Sequence, residues 1–257
     1  MIAVPDSRLV GRLHPSPNIE PRQGDPRPRL VIQHYTGMAT AESAILLLAE
    51  PASKVSCHYV VDEDGAITQM VAESMRAWHA GVSHWAGDTD INSASVGIEI
   101  QNLGHDRGYP TFPPRQMRAV ADLTRDICAR NAIAPQGVLA HSDVAPGRKI
   151  DPGERFDWAW LAREGVGHYV KPATVREHDA GLGPGATDDV VAEMQRMLAR
   201  YGYGVAATGI LDPQTERVVA AFQRHFRRRR VDGRIDRSTV LTLERLLLAL
   251  PAAPLVA

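Results

Sequence analysis

Short apolar runs alternate with helical stripes along the first part of the chain, and helical stripes alone fill the last part. Residues 30–33 (LVIQ) form an apolar run that predicts a core strand ending at His34. Residues 41–50 read as a helix stopped by Pro51, and residues 56–62 and 66–71 as two strands. The Asp64-Gly65 pair between those strands predicts a hairpin turn. Residues 95–101 (SVGIEIQ) predict another strand, and residues 137–140 a last short one leading into His141. Residues 114–131 place Met117, Val120, Leu123 and Ile127 on one helical face. A short helix is expected over residues 155–163. Residues 1–28 are rich in proline and arginine without periodicity, which predicts an extended arm.

Strands interspersed with helices in this order predict an α/β domain over residues 1–165, one mixed central β-sheet flanked by helices. The glycine- and proline-rich stretch 166–186 predicts a linker. Residues 187–257 then read as a small all-α, three-helix domain. Val190, Val191, Met194, Met197, Leu198 and Tyr201 form its first stripe. Two later segments echo each other, GILDPQT at 209–215 and GRIDRST at 233–239. In each, an aspartate (Asp212, Asp236) suits the N-cap of the helix that follows, and Pro213 suits a first helical position.

Composition narrows the class. With 44% hydrophobic and 23% charged residues, the 257-residue chain can bury a core. A net charge of -1 gives no electrostatic case for nucleic acid as the partner. The apolar stretches fall short of the roughly 20 residues that span a bilayer. The two cysteines, Cys57 and Cys128, make no disulfide framework and are expected to be reduced. The N-terminus shows no basic segment followed by an apolar one, so no secretory signal is expected.

Most of the ten histidines suit ordinary roles. His14, His105, His168, His178 and His225 lie in polar settings and are expected at the surface. His34 and His141 each follow a short apolar strand, and strand ends are where sites form in α/β sheets. Asp151 follows a Pro/Gly-rich loop ten positions after His141. Two imidazoles and a carboxylate with an open position make a zinc site suited to hydrolysis. Spacing alone leaves a metal triad and three unrelated residues equally open. Two neighbours favour the metal. Lys149, two residues before Asp151 in a segment expected to be extended, would share its direction and could stabilise an oxyanion. Glu99 interrupts an apolar strand, where burial would raise its pKa toward that of a general base; alternation equally permits a solvent-facing residue there.

The segments LVIQHYTG, SCHYVVDEDGAITQMV, AWHAGVS, SVGIEIQN and VLAHSDVAPGRKIDPG, in this order, resemble the zinc-dependent N-acetylmuramoyl-L-alanine amidases of the AmpD/AmiD type. This amidase_2 superfamily also includes the peptidoglycan recognition proteins and T7-type lysozyme. The resemblance covers roughly residues 25–165. It implies that one Zn2+ is bound by His34, His141 and Asp151, that Glu99 is the catalytic glutamate, and that Lys149 stabilises the transition state. The implied reaction is hydrolysis of the amide between N-acetylmuramic acid, or its anhydro form, and L-alanine of the peptidoglycan stem peptide. Cys57 stands where the T7-type relatives carry tyrosine, which leaves Glu99 as the expected base. Residues 187–250 resemble peptidoglycan-binding domain 1, through Met194-Gln195, Gly202-Tyr203, Ala221-Phe222-Gln223 and Asp232-Gly233. Thr208 replaces the aspartate that usually precedes the first repeat's glycine.

The implied partners are peptidoglycan or muropeptides, and a monomer is expected. The wall-binding domain favours the cell envelope, while the absent signal favours the cytoplasm. A non-catalytic peptidoglycan-binding protein is the alternative, which the complete ligand set disfavours. Three further residues are candidates for substrate contact: His79, Trp78 and Asn102. The resemblance suggests His79; an aromatic anchor in a packed loop is the other reading for Trp78 and His79, and a turn cap the other for Asn102. His58 reads as a core histidine. Trp85, Trp158 and Trp160 read as packing residues before sugar platforms. The run Arg227 to Arg230 reads as a solvated basic face at a helix end.

Overall fold

The computed structural model describes residue 2 and residues 4–251. Its centre is a six-stranded mixed sheet built from β1 (Arg12–Leu13), β3 (Leu30–Tyr35), β4 (Tyr59–Val61), β5 (Ile67–Gln69), β7 (Ser95–Ile100) and β8 (Val138–Ala140), in the order β1-β5-β4-β7-β3-β8. Only the β4–β5 pair, the expected hairpin, is antiparallel. A separate pair joins β2 (Ile19–Pro21) to β6 (Met75–Ala77).

The period of two along each strand sorts side chains to opposite faces. From β7, Val96, Ile98 and Ile100 join Val31, Tyr59 and Val61 beneath α3 (Pro114–Asn131). Met117, Val120, Leu123 and Ile127 of α3 are all buried there. Each such side chain contributes about 1.5–3 kcal/mol on burial. The opposite face carries Ile32, His34, Gly97 and Glu99. It is covered in part by α1 (Ala41–Ala49), whose Ala41, Ile45 and Leu48 pack with Cys57, Val60 and Met70. The rest is left to the site.

Helices α6 (Asp189–Tyr201), α7 (Pro213–Phe226) and α8 (Arg237–Leu248) form the helical module. The expected caps are present: Asp212 accepts from Thr215 N and Asp236 from Thr239 N, each at 2.7 Å. The repeat runs deeper than the caps. Gln195 accepts from Gly209 N and donates to Thr215 Oγ1, while Gln223 accepts from Gly233 N and donates to Thr239 Oγ1. One buried amide thus ties each glycine turn to the next helix.

Three expectations need correction. Within the arm expected over 1–28, the described residues supply strands to both sheets, because β1 pairs with β5 and β2 with β6. Residues 166–186 contain no helix or named strand but are docked: Ala173 bonds to Ser238 and Thr242, and Leu182 bridges to Ile235. The arginine run is a solvated face only in part, at the exposed Arg228 and Arg229. Arg227 is buried and bonds to Thr239 Oγ1 and to Asp236, Arg230 also pairs with Asp236, and Arg228 lies 3.3 Å from Asp157. Cations at that helix end meet fixed carboxylates, not only the helix dipole.

Candidate metal centre and active-site cleft

Parallel strands β3, β7 and β8 end at one edge of the sheet, and their C-terminal ends carry the site, as in other α/β sheets. Adjacent strands hold His34 and Glu99 in direct register, as Cα partners on the β3–β7 ladder. His141 opens α4 (His141–Val144) immediately after β8. These residues line a cleft of ≈ 350 Å³ together with Lys149 and Asp151. Its apolar lining includes Met38, Leu47, Val55 and Trp78, and Arg148, Lys149 and Ile150 also line it. Lys149 forms an isolated β-bridge with Pro146 and Asp151 opens the turn that follows, and both reach the cleft.

Three atoms converge on its floor. His34 Nδ1 lies 2.9 Å from His141 Nδ1 and 3.1 Å from Asp151 Oδ2, and His141 Nδ1 lies 3.0 Å from that same oxygen. Among the described residues, this is the group of His, Cys, Asp or Glu donors close enough to hold one ion. Hydrogen-bond logic gives the tautomers. Ser95 Oγ donates its hydrogen to Ile91 O, so it can only accept from His79 Nε2, at 3.3 Å. His79 Nδ1 is then a lone pair, and His34 Nε2–H donates to it at 3.0 Å. His141 Nε2–H donates to the carbonyl of Ala80 at 3.1 Å. Both outer nitrogens are therefore protonated, and both Nδ1 atoms turn lone pairs toward the carboxylate oxygen. Three acceptors around one point repel each other unless a cation lies between them. Tetrahedral zinc with donors about 2.0–2.1 Å away would place them about 3.3 Å apart, close to the separations observed.

Electrostatics agree with that assignment. Burial, followed by the proximity of His141, pushes the His34 pKa down to about 4, so the ring is neutral. Glu99 is raised well above the usual carboxylate range by burial and then by the charge of Asp151, with Lys149 opposing. Its Oε2 is enclosed and without a hydrogen-bond partner among the described residues, an arrangement that costs free energy in a structural residue and suits a group waiting for a proton.

The remaining candidates divide. Trp78 lines the cleft, with its Nε1–H donating to Glu20. His79 also lines it, but both its nitrogens point inward, to His34 and Ser95. Asn102 is buried and is not among the cleft-lining residues: its amide donates to Pro110 O and accepts from Gly104 N, which makes it an organiser of that turn. Among the surface histidines expected, His225 is buried, 2.6 Å from Asp143. Sequence reasoning missed Ser95 and Gly97. A Cβ at Gly97 would come within 2.5 Å of the His79 ring, and a glycine inside an apolar strand is the signal for such a close approach.

A family model for N-acetylmuramoyl-L-alanine amidase matches residues 24–154, which include all five expected catalytic and metal-binding residues. The chain belongs to the N-acetylmuramoyl-L-alanine amidase family. A second model, for a peptidoglycan binding domain, matches residues 187–243. The chain is 37% identical to the N-acetylmuramoyl-L-alanine amidase AmiD of Escherichia coli over 234 residues, covering 86% of this chain and 83% of AmiD. The structure of AmiD in complex with anhydro-N-acetylmuramic acid-L-Ala-D-gamma-Glu-L-Lys resembles this amidase with a TM-score of 0.72 at 36% identity, covering 89% of this chain and 92% of that one. AmpDh3 of Pseudomonas aeruginosa, solved with an anhydromuramic pentapeptide, does so with a TM-score of 0.72 at 30% identity, covering 90% and 94%.

Proposed function

We propose that this amidase hydrolyses the bond between the lactyl carbonyl of N-acetylmuramic acid, its anhydro form included, and L-alanine of the stem peptide, using zinc. The observation that carries the reading is the convergence of three lone-pair donors in one cleft with a carboxylate whose Oε2 is enclosed and unpartnered among the described residues. Anhydromuramyl peptides as substrate follow from the ligands of AmiD and AmpDh3. His34, His141 and Asp151 would hold the metal. Zinc there supplies a Lewis acid that brings the pKa of water from 15.7 to about 7 and polarises a carbonyl oxygen.

Glu99 takes a proton from the attacking water, whose oxygen adds to the lactyl carbon. The Lys149 ammonium offsets the charge that develops on the carbonyl oxygen. Glu99 then gives the proton to the alanine nitrogen, the C–N bond breaks, and a lactyl carboxylate and a free amine leave. The His79–Ser95 chain holds the ring of His34 in its tautomer throughout. The apolar lining residues Met38, Leu47, Val55 and Trp78 offer surface for the less polar parts of the muropeptide. A binding protein without catalysis has no use for the placement of Glu99 and Lys149.

The test is a metal assay joined to product analysis. About one zinc per chain, loss of turnover on chelation, and release of free stem peptide from an anhydromuramyl tripeptide are expected. A protein that takes up no divalent metal at micromolar concentration, yet is folded, sinks the proposal.

A further inference from the structure

Helix α7 belongs to the module that resembles a wall-binding domain, yet one of its faces lies along the loop bearing two metal ligands. Residues 217, 224 and 225 lie on that face, and Arg228 follows just beyond the helix end. Arg217 packs against Gly147, leaving no room for a Cβ there. Arg224 Nε sits 3.5 Å from Glu154, and Arg228 3.3 Å from Asp157. His225 stacks between Trp158 and Phe226, each ring at 3.8 Å, and brings Nδ1 to 2.6 Å from Asp143.

Asp143 is wholly buried. It accepts from Tyr203 OH at 2.7 Å, from His225 Nδ1, and from the backbone N–H of Ala140 at 2.8 Å. That last bond fixes the turn at which β8 becomes α4, so it fixes the backbone carrying His141. The packing is continuous as well. Ile32, Ala80, Leu139 and Val144 of the sheet side share one apolar cluster with Val191, Met194, Val218 and Phe222 of the module. A module acting only as a flexible tether would need none of this.

We propose that the helical module is a positioning element of the metal centre: Tyr203 and His225 clamp Asp143, and through Ala140 they set the placement of His141. The proposal rests on the metal reading above. Its consequence is that metal affinity and turnover on small soluble substrates depend on a domain whose resemblance is to polymer binding. Removal of both donors leaves a buried carboxylate short of partners, a costly state that the loop can relieve only by moving.

The experiment uses the full chain carrying Tyr203→Phe and His225→Phe together, which keeps both rings. Zinc affinity is measured by chelator competition, and kcat and KM on a soluble anhydromuramyl tripeptide. We expect zinc affinity to fall about 10-fold or more, the scale for partners that orient ligands, with kcat lowered and KM little changed. His225→Asn, whose amide nitrogen can stand in for Nδ1–H, should recover most of the affinity. Tyr201→Phe is the control: it loses a bond to His168 in the same interface without touching Asp143, and should bind zinc normally. If the double variant misfolds, Tyr203→Phe alone is read in the same way. A folded variant with zinc affinity and kcat within twofold of the parent overturns the proposal, and so does an equal loss in Tyr201→Phe. A parent protein that binds no zinc overturns the metal reading instead.

Discussion

Two kinds of support meet at the cleft floor. His34 and Glu99 stand on neighbouring strands whose ladder fixes them as direct partners, so backbone hydrogen bonds inside the sheet set their separation. His141, Lys149 and Asp151 stand on a short helix and the loop that follows it, a stretch held by side chains from a second domain. The strand-borne pair is placed by local geometry, whereas the loop-borne set is placed by contacts distant in sequence. The difference separates where chemistry resides from where precision originates.

The largest effect should come from His34→Ala. It should remove zinc and reduce turnover below detection; a variant with full metal content and measurable turnover would take His34 out of the ligand set. Glu99→Gln comes next. It keeps shape and should keep zinc, but should lower kcat by about 10²–10⁴-fold, the range for a general acid–base group. Normal kcat in this variant would move the base elsewhere. Lys149→Met should cost about 10²–10³-fold in kcat, as for an oxyanion donor. It should also move the acid limb of kcat/KM to higher pH. Lys149 lowers the pKa of Glu99, so its removal raises that pKa, and the base is deprotonated only at higher pH. An acid limb that moves down or stays fixed would break the link between the strand and the loop.

The smallest effect is thermodynamic and concerns the metal-free protein. The His34 pKa is about 4 when folded, against about 6.5 for an ordinary histidine, and His58 is lowered to about 3, by burial first and then by Arg22. Between pH 6.5 and about 4 the unfolded chain therefore binds more protons than the native one, and stability rises with pH across that window. Chelator-treated protein should be most stable near pH 7 and lose Tm steadily as pH falls from 6.5 toward 4. Equal Tm values at pH 7 and pH 5 would contradict the neutral, buried assignment of these rings.

Strands β3 and β7 and helix α3 are legible because each is long enough to show its period, and the grouping of His34, Glu99, His141, Lys149 and Asp151 in one cleft because their motifs follow one another in a recognisable order. Strands β1, β2 and β6 hold two or three residues each, too few for any alternation, and they exist because a partner edge was available. Asn102 was ambiguous for a related reason: a loop amide can serve substrate or backbone, and only the positions of Pro110 and Gly104 decide it. His225 and Arg227 lie in the most polar stretch of the chain, yet their partners Asp143 and Asp236 bury them. No local pattern encodes a partner 82 residues away.

The bare backbone at Gly97 has one more implication. The imidazole of His79 lies against the sheet only because that position has no side chain, and the same ring steadies His34. A lone methyl group introduced in the middle of β7 would therefore be felt where the three donor atoms converge, through two successive rings, with each donor residue left chemically intact.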